Sequence, residues 1–219
     1  MSKAGIQSNR GDGYQTLVAF DWALTVLSDP NYEWLEVDSV SWLVDDVVIG
    51  KSDGTIICCQ CKKNQTRHKP WTVSDLKDEL EKKAGPLLAR SEKVFVKFYS
   101  RTAFGELAVL SENSENYADS TTYQANLGKA TRATDERLKN VLPKSVPYIS
   151  TYDFLRRTSF ENTPDLERMQ EHLHERLGRL VSNTPAAYQA LWTRLGCASR
   201  VQAGHPGFAC ASRTPRFCD

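Results

Sequence analysis

An α/β core followed by helices is the fold class that this sequence predicts, and three observations predict it. A helix-period stretch, Tyr14 to Leu27, opens the patterned part of the chain, with Leu17, Phe20, Leu24 and Leu27 on one stripe and Val18 and Trp22 widening it. Strand-like segments follow, two of them joined by Asp53-Gly54, a hairpin turn signal. After a further helical stretch, Lys93 to Ser100 reads KVFVKFYS, rich in β-branched and aromatic residues. The order helix, three strands, helix, strand describes an α/β core.

Each element has its local reason. Asp29-Pro30 stops the first helix, and Trp34 to Val40 alternates as a strand. The hairpin comprises the apolar run Val47 to Ile49 and the run Thr55 to Cys59, which leads into Gln60-Cys61-Lys62. Ser74 is placed to cap a helix that Gly85-Pro86 ends. Thr121 to Val141 reads as one helix with Leu127 and Leu138 inward. Thr163-Pro164 opens another, striped by Leu166, Met169, Leu173, Leu177 and Leu180. Thr184-Pro185 opens a third, with Tyr188, Leu191, Trp192 and Leu195 facing a partner. The chain therefore divides into a flexible lead (1–13), an α/β domain (14–160), a helical extension (161–196) and an unstructured tail (197–219).

Composition narrows the function classes. At 219 residues, 40% of them hydrophobic, the chain has material for one core, and a net charge of +1 excludes a strongly basic coat protein. No run approaches the ~18 apolar residues of a membrane span, and the polar start MSKAGIQSNRGDG is no signal peptide, so the cytoplasm is the expected compartment. Cys58, Cys59 and Cys61 crowd one strand, where they read as reduced core residues.

The chemistry-bearing residues gather in VDDVVIGKSDGTIICCQCKKN, Val44 to Asn64. Alternation puts Gln60 and Lys62 on one strand face and Cys61 on the other. Asp46, just before the apolar strand, can face that pair, with Asp45 the alternative if the register differs by one. A carboxylate and an amide oxygen can hold a divalent ion, and an ammonium can stabilise charge at phosphorus, so the arrangement suits phosphodiester hydrolysis. Gln60 lacks the charge of the commoner acid and would hold an ion less tightly. Glu36, on the preceding strand, is a second acidic candidate. Lys63, Arg67, His68 and Lys69 form a basic run fit for phosphates, and Arg101 is a further cation. His172 and His174 lie two apart on a helix and do not share a face.

The Asp…Gln-x-Lys pattern resembles the Mrr-type branch of the PD-(D/E)xK restriction-endonuclease-like superfamily, as does Gly11-x-x-Tyr14-Gln15, where Gln15 stands in place of the usual glutamate. More narrowly, GYQTLVAFDWAL, WLEVDSVSWLVDDVVIG, CQCKKNQ, VKFYSR and STYDFLRRTSF resemble the DNA endonuclease domain of CD-NTase-associated antiphage effectors. The resemblance implies a restriction-endonuclease-like mixed sheet flanked by helices. It also implies a cytoplasmic Mg2+-dependent (or Mn2+-dependent) double-stranded DNA endonuclease with a fused or separate sensor module. The neutral Gln60 and Gln15 leave a catalytically silent DNA-binding or oligomerisation module as the alternative, and the same metal chemistry allows RNA cleavage. The helices between Thr163 and Leu195 are expected to drive the self-association that activates cleavage.

Overall fold

The structure is a computed structural model, and it describes residues 13–62, 69–142, 149–196 and 201–202. The lead, the basic residues Lys63, Arg67 and His68, and most of the stretch after 196 lie outside the described residues.

The chain opens on α1 (Tyr14–Ser28), which buries Leu17, Val18, Phe20 and Leu24 but leaves Leu27 exposed at its end. The strands β1 (Tyr32–Val37), β2 (Val47–Lys51) and β3 (Ile56–Lys62) follow as an antiparallel meander. Asp38 terminates β1 early, at a φ of 51° that breaks the extended backbone. The β2–β3 turn closes as its sequence requires. Gly54 takes a φ of 82°, and the Asp53 carboxylate accepts from the Thr55 N–H at 2.8 Å.

Next comes α2, which runs as Lys77–Glu79, a π-helical turn Leu80–Ala84, and Gly85–Arg90. It starts two residues later than a cap at Ser74 suggests and continues through Gly85-Pro86 rather than stopping there. The wide turn explains the passage. The Gly85 N–H reaches back to the Leu80 carbonyl, so the ladder is already re-registered where Pro86 brings no N–H, and Leu87 and Leu88 behind it are buried.

Then β4 (Val94–Ser100) pairs parallel with β3. The helices α3 (Glu106–Glu115), α4 (Ser120–Asn126), α5 (Lys129–Val141) and α6 (Thr151–Arg156) lead to β5 (Thr158–Asn162), parallel to β4. The single helix expected over Thr121 to Val141 is two, parted at Leu127–Gly128, where the backbone turns extended. Last are α7 (Leu166–Gly178), α8 (Thr184–Gly196) and β6 (Val201–Gln202), which pairs antiparallel with β1. The sheet order is β5-β4-β3-β2-β1-β6.

Two apolar layers sandwich this sheet. On one side Val48, Cys58, Val96 and Phe98 meet α2, α3 and the helices up to α6. On the other, Leu35, Val47, Ile49, Cys59 and Cys61 meet α1, α7 and α8. The apolar stripe of the last two helices is therefore filled from within the chain. Met169, Leu173, Leu177, Leu191 and Leu195 are all buried in the same cluster as Phe20 and Leu24. Of the stripe on which the self-association expectation rested, Leu180 stays exposed, beside Val181, so most of that apolar surface serves the chain's own core.

Candidate functional site

The alternation of β3 places Cys59 and Cys61 in the α1-side layer and turns Gln60 and Lys62 toward α2. Beside the end of β3, Asp46 enters β2. Its carboxylate Oδ2 accepts from Gln60 Nε2 at 2.5 Å and from the Cys61 backbone N–H at 2.6 Å. The residue is 7% exposed, and burial pushes its carboxyl up to about 6 despite those donors. Asp46, rather than Asp45, is thus the aspartate that meets Gln60.

The π turn of α2 closes over this pair. Lys83 Nζ donates to Gln60 Oε1 at 3.2 Å and lies 3.7 Å from Asp45. Lys62 makes an ion pair with Glu79. Asp45 is raised above the usual carboxylate range, chiefly by burial and against the pull of Lys83. From the other layer Gln15, buried on α1, donates to Asp38 Oδ1 at 2.7 Å and to the Asp46 carbonyl at 3.0 Å. The result is a polar network across β2, β3, α1 and α2 in which amide, carboxylate and ammonium groups answer one another.

Glu36 faces Val48 across the β1–β2 ladder and is half-buried. The Arg101 guanidinium sits over the Tyr14 ring, 5.7 Å from its centroid. Lys69 is exposed. Sequence reasoning missed Asp38, Glu79 and Lys83. The signal for the last two was available: they stand four apart on a helix, one acid and one base, and so share the face that meets β3.

The network does not fit the magnesium or manganese expectation. Gln60 Oε1, the oxygen expected to coordinate, accepts from the Lys83 ammonium, while Asp46 Oδ2 is taken by its donors. Among the described residues no group of three or more His, Cys, Asp or Glu side chains could hold a metal ion. Nor is any helix among them long and apolar enough to cross a membrane. The three described cysteines, Cys58, Cys59 and Cys61, are buried thiols whose pKa values burial drives up, that of Cys58 to about 12.

No family model matches the chain. No curated protein matches it in sequence. Among solved structures it resembles the Acinetobacter baumannii Cap4 SAVED/CARF-domain containing receptor with the cyclic trinucleotide 3′3′3′-cAAA, at a TM-score of 0.55 and 12% identity. The same receptor with 2′3′3′-cAAA matches at a TM-score of 0.54 and 12% identity. Each likeness covers 88% of this chain and 42% of the receptor, so the chain spans less than half the length of that protein. At such identity the likeness is one of fold.

This finding corrects the resemblance drawn from the sequence. The fold that the comparison supports is one shared with part of a SAVED/CARF-domain containing receptor, in place of the expected Mrr-like, restriction-endonuclease-like nuclease fold of a CD-NTase-associated effector. The hydrolase reading and magnesium dependence are corrected with it: Asp46 Oδ2 and Gln60 Oε1 already accept hydrogen bonds, and no metal-holding group of three side chains occurs among the described residues. The expectation of double-stranded DNA as partner is corrected as well: the molecule named with that receptor is a cyclic trinucleotide.

Proposed function

We propose that the chain is a non-catalytic binding module of a nucleotide-responsive receptor, and that its ligand is a cyclic adenine-containing oligonucleotide. The observation that carries the non-catalytic reading is the mutual engagement of the Asp46 network, in which carboxylate, amide and ammonium groups are already paired. The likeness to a receptor solved with 3′3′3′-cAAA supports the ligand class. Once the Lys83 contact is exchanged, the Gln60 amide offers Oε1 as acceptor and its second Nε2 hydrogen as donor, the pair that an adenine edge requires, while Asp46 holds that amide in place. The buried thiols support a reducing, cytoplasmic setting, and the antiphage context expected from the sequence suits such a receptor.

Calorimetric titration of the protein with 3′3′3′-cAAA tests this reading. Binding is expected, and Gln60→Leu is expected to weaken it about tenfold, the value of one lost bidentate contact. Equal affinity in Gln60→Leu would remove the Asp46 network from recognition, and no heat at all would remove the ligand class. A parallel incubation with plasmid DNA and magnesium addresses catalysis. Nicking by the wild type that Asp46→Ala abolishes would overturn the non-catalytic reading.

A further inference from the structure

The parallel strands β4 and β5 have their N-terminal ends at the sheet end opposite the Asp46 network. The seven residues of β3 separate the two ends by about 20 Å. There the C-terminus of α2 and the C-terminus of α6 converge on a groove of about 730 Å³, a size in the range of small-molecule sites. Its lining includes Arg90, Arg156 and Arg157, the last residues of α2 and α6 and the residue that follows.

These arginines differ in what holds them. Arg157 is anchored: its Nη1 donates to the Leu88 carbonyl at 2.9 Å and to the Ser91 carbonyl at 2.8 Å. That fixes its guanidinium in the wall and answers the partial negative charge at the end of α2. Arg90 and Arg156 are exposed and have no ion-pair or hydrogen-bond partner among the described residues. The groove also holds acids, Glu92 and Asp153. Asp153 is occupied in the capping box of α6, where it accepts from Ser150 Oγ at 2.8 Å and from the Ser150 N–H at 3.4 Å. Both acids count against an anion, and the three arginines outnumber them by one in the lining.

We infer that this groove binds a small phosphate-bearing ligand, with Arg157 as the fixed wall and Arg90 and Arg156 closing on the phosphate oxygens. Planar guanidinium forks match phosphate geometry bidentately, and paired forks on a concave wall select it over a single carboxylate. The floor favours the phosphate over an aromatic base as the recognised part. Tyr152 is largely covered, its hydroxyl donates to the Tyr117 carbonyl at 2.7 Å, and its ring packs at 5.5 Å on Tyr123, so no open ring face is offered for stacking. The inference is independent of the ligand proposed for the Asp46 network, since it concerns another end of the sheet.

Titration calorimetry at low salt with inorganic pyrophosphate and, separately, with ADP is the test. Wild-type protein is expected to bind both, and raising the salt is expected to weaken both. The Arg90→Ala/Arg156→Ala double variant, exposed at both positions, is expected to keep its melting temperature and lose at least tenfold in affinity. Arg156→Gln alone should lose a smaller factor. Tighter binding of ADP than of pyrophosphate would make the ligand a nucleotide, and the reverse would make it a free polyphosphate; either keeps the groove. Absence of heat with both probes would overturn the inference. So would an unchanged affinity in the double variant, or a loss on Lys62→Ala equal to that of the double variant.

Discussion

Asp46→Asn is expected to make the protein more stable at neutral pH and to flatten its pH dependence. The carboxyl ordinarily titrates near 3.8 and is held up to about 6 by burial in the fold. Between those values the folded state binds more protons than the unfolded chain. Stability from this group is therefore fully present below about pH 4 and is lost as pH rises through about 6. A rise from 3.8 to about 6 corresponds to about 3 kcal/mol, with the donors from Gln60 and Cys61 already counted in it. An asparagine carries no charge to desolvate, and its side-chain oxygen can still accept from the Cys61 N–H. The assay is urea unfolding of wild type and variant at pH 4, 5, 6 and 7, compared as differences so that titrations common to both cancel. The gap should be near zero at pH 4 and reach about 2–3 kcal/mol in favour of the variant at pH 7. A gap that stays constant from pH 4 to pH 7 would refute the account of Asp46 as a charge held in the interior against its desolvation.

Other perturbations probe the scaffold. Gly50, in the middle of β2, lies under the indole of Trp34, and a Cβ there would overlap that ring. Gly50→Ala should cost about 1–3 kcal/mol, read as a lowered melting temperature, and the cost should shrink in a Trp34→Ala background. Asp135 is buried and accepts from the Tyr123 hydroxyl at 2.9 Å and from Gln124 Nε2 at 3.0 Å. Asp135→Ala strands that hydroxyl in the interior and should cost about 2 kcal/mol. Adding Tyr123→Phe should recover part of the loss, and no recovery would mean the hydroxyl was not the group left unsatisfied.

How much was legible in the sequence follows from which signals are local. The β2–β3 hairpin is written in Asp53-Gly54, and β4 in an unbroken run of branched and aromatic residues, so both were found within a residue or two. The side-chain alternation of β3 assigned Gln60 and Lys62 to one face, which is where the structure has them. The π turn was invisible, because nothing in LEKKAGP announces a wider ladder and Pro86 reads as a stop. The apolar helices near the C-terminus looked unpartnered because their partner, α1, lies about 150 residues earlier in the chain. Contacts such as Arg176 with Asp21 have no local signature. Function was misread for a related reason. The spacing Asp…Gln-x-Lys says which residues meet, but not that Lys83 and Glu79 arrive from a helix to engage them.

That engagement bears on why the network exists. A position 7% exposed at the end of a strand would hold a leucine or valine more stably than an aspartate held near pKa 6. The surrounding groups do not repair the deficit: Lys83 stands nearer to Asp45 and Gln60, and Lys62 is committed to Glu79. A wide helical turn, itself less favourable than regular helix, is what brings Glu79 and Lys83 over the strand ends. Local features that each lower stability, and that meet at one place, point to selection for recognition rather than for packing. The Cys59 and Cys61 thiols on the opposite face show the contrast. They sit on the same strand and fill space against α1, and it is the backbone N–H of Cys61, not its thiol, that reaches Asp46. The polar face of β3 therefore carries the chemistry that the module presents, and its apolar face, packed against α1, carries the fold.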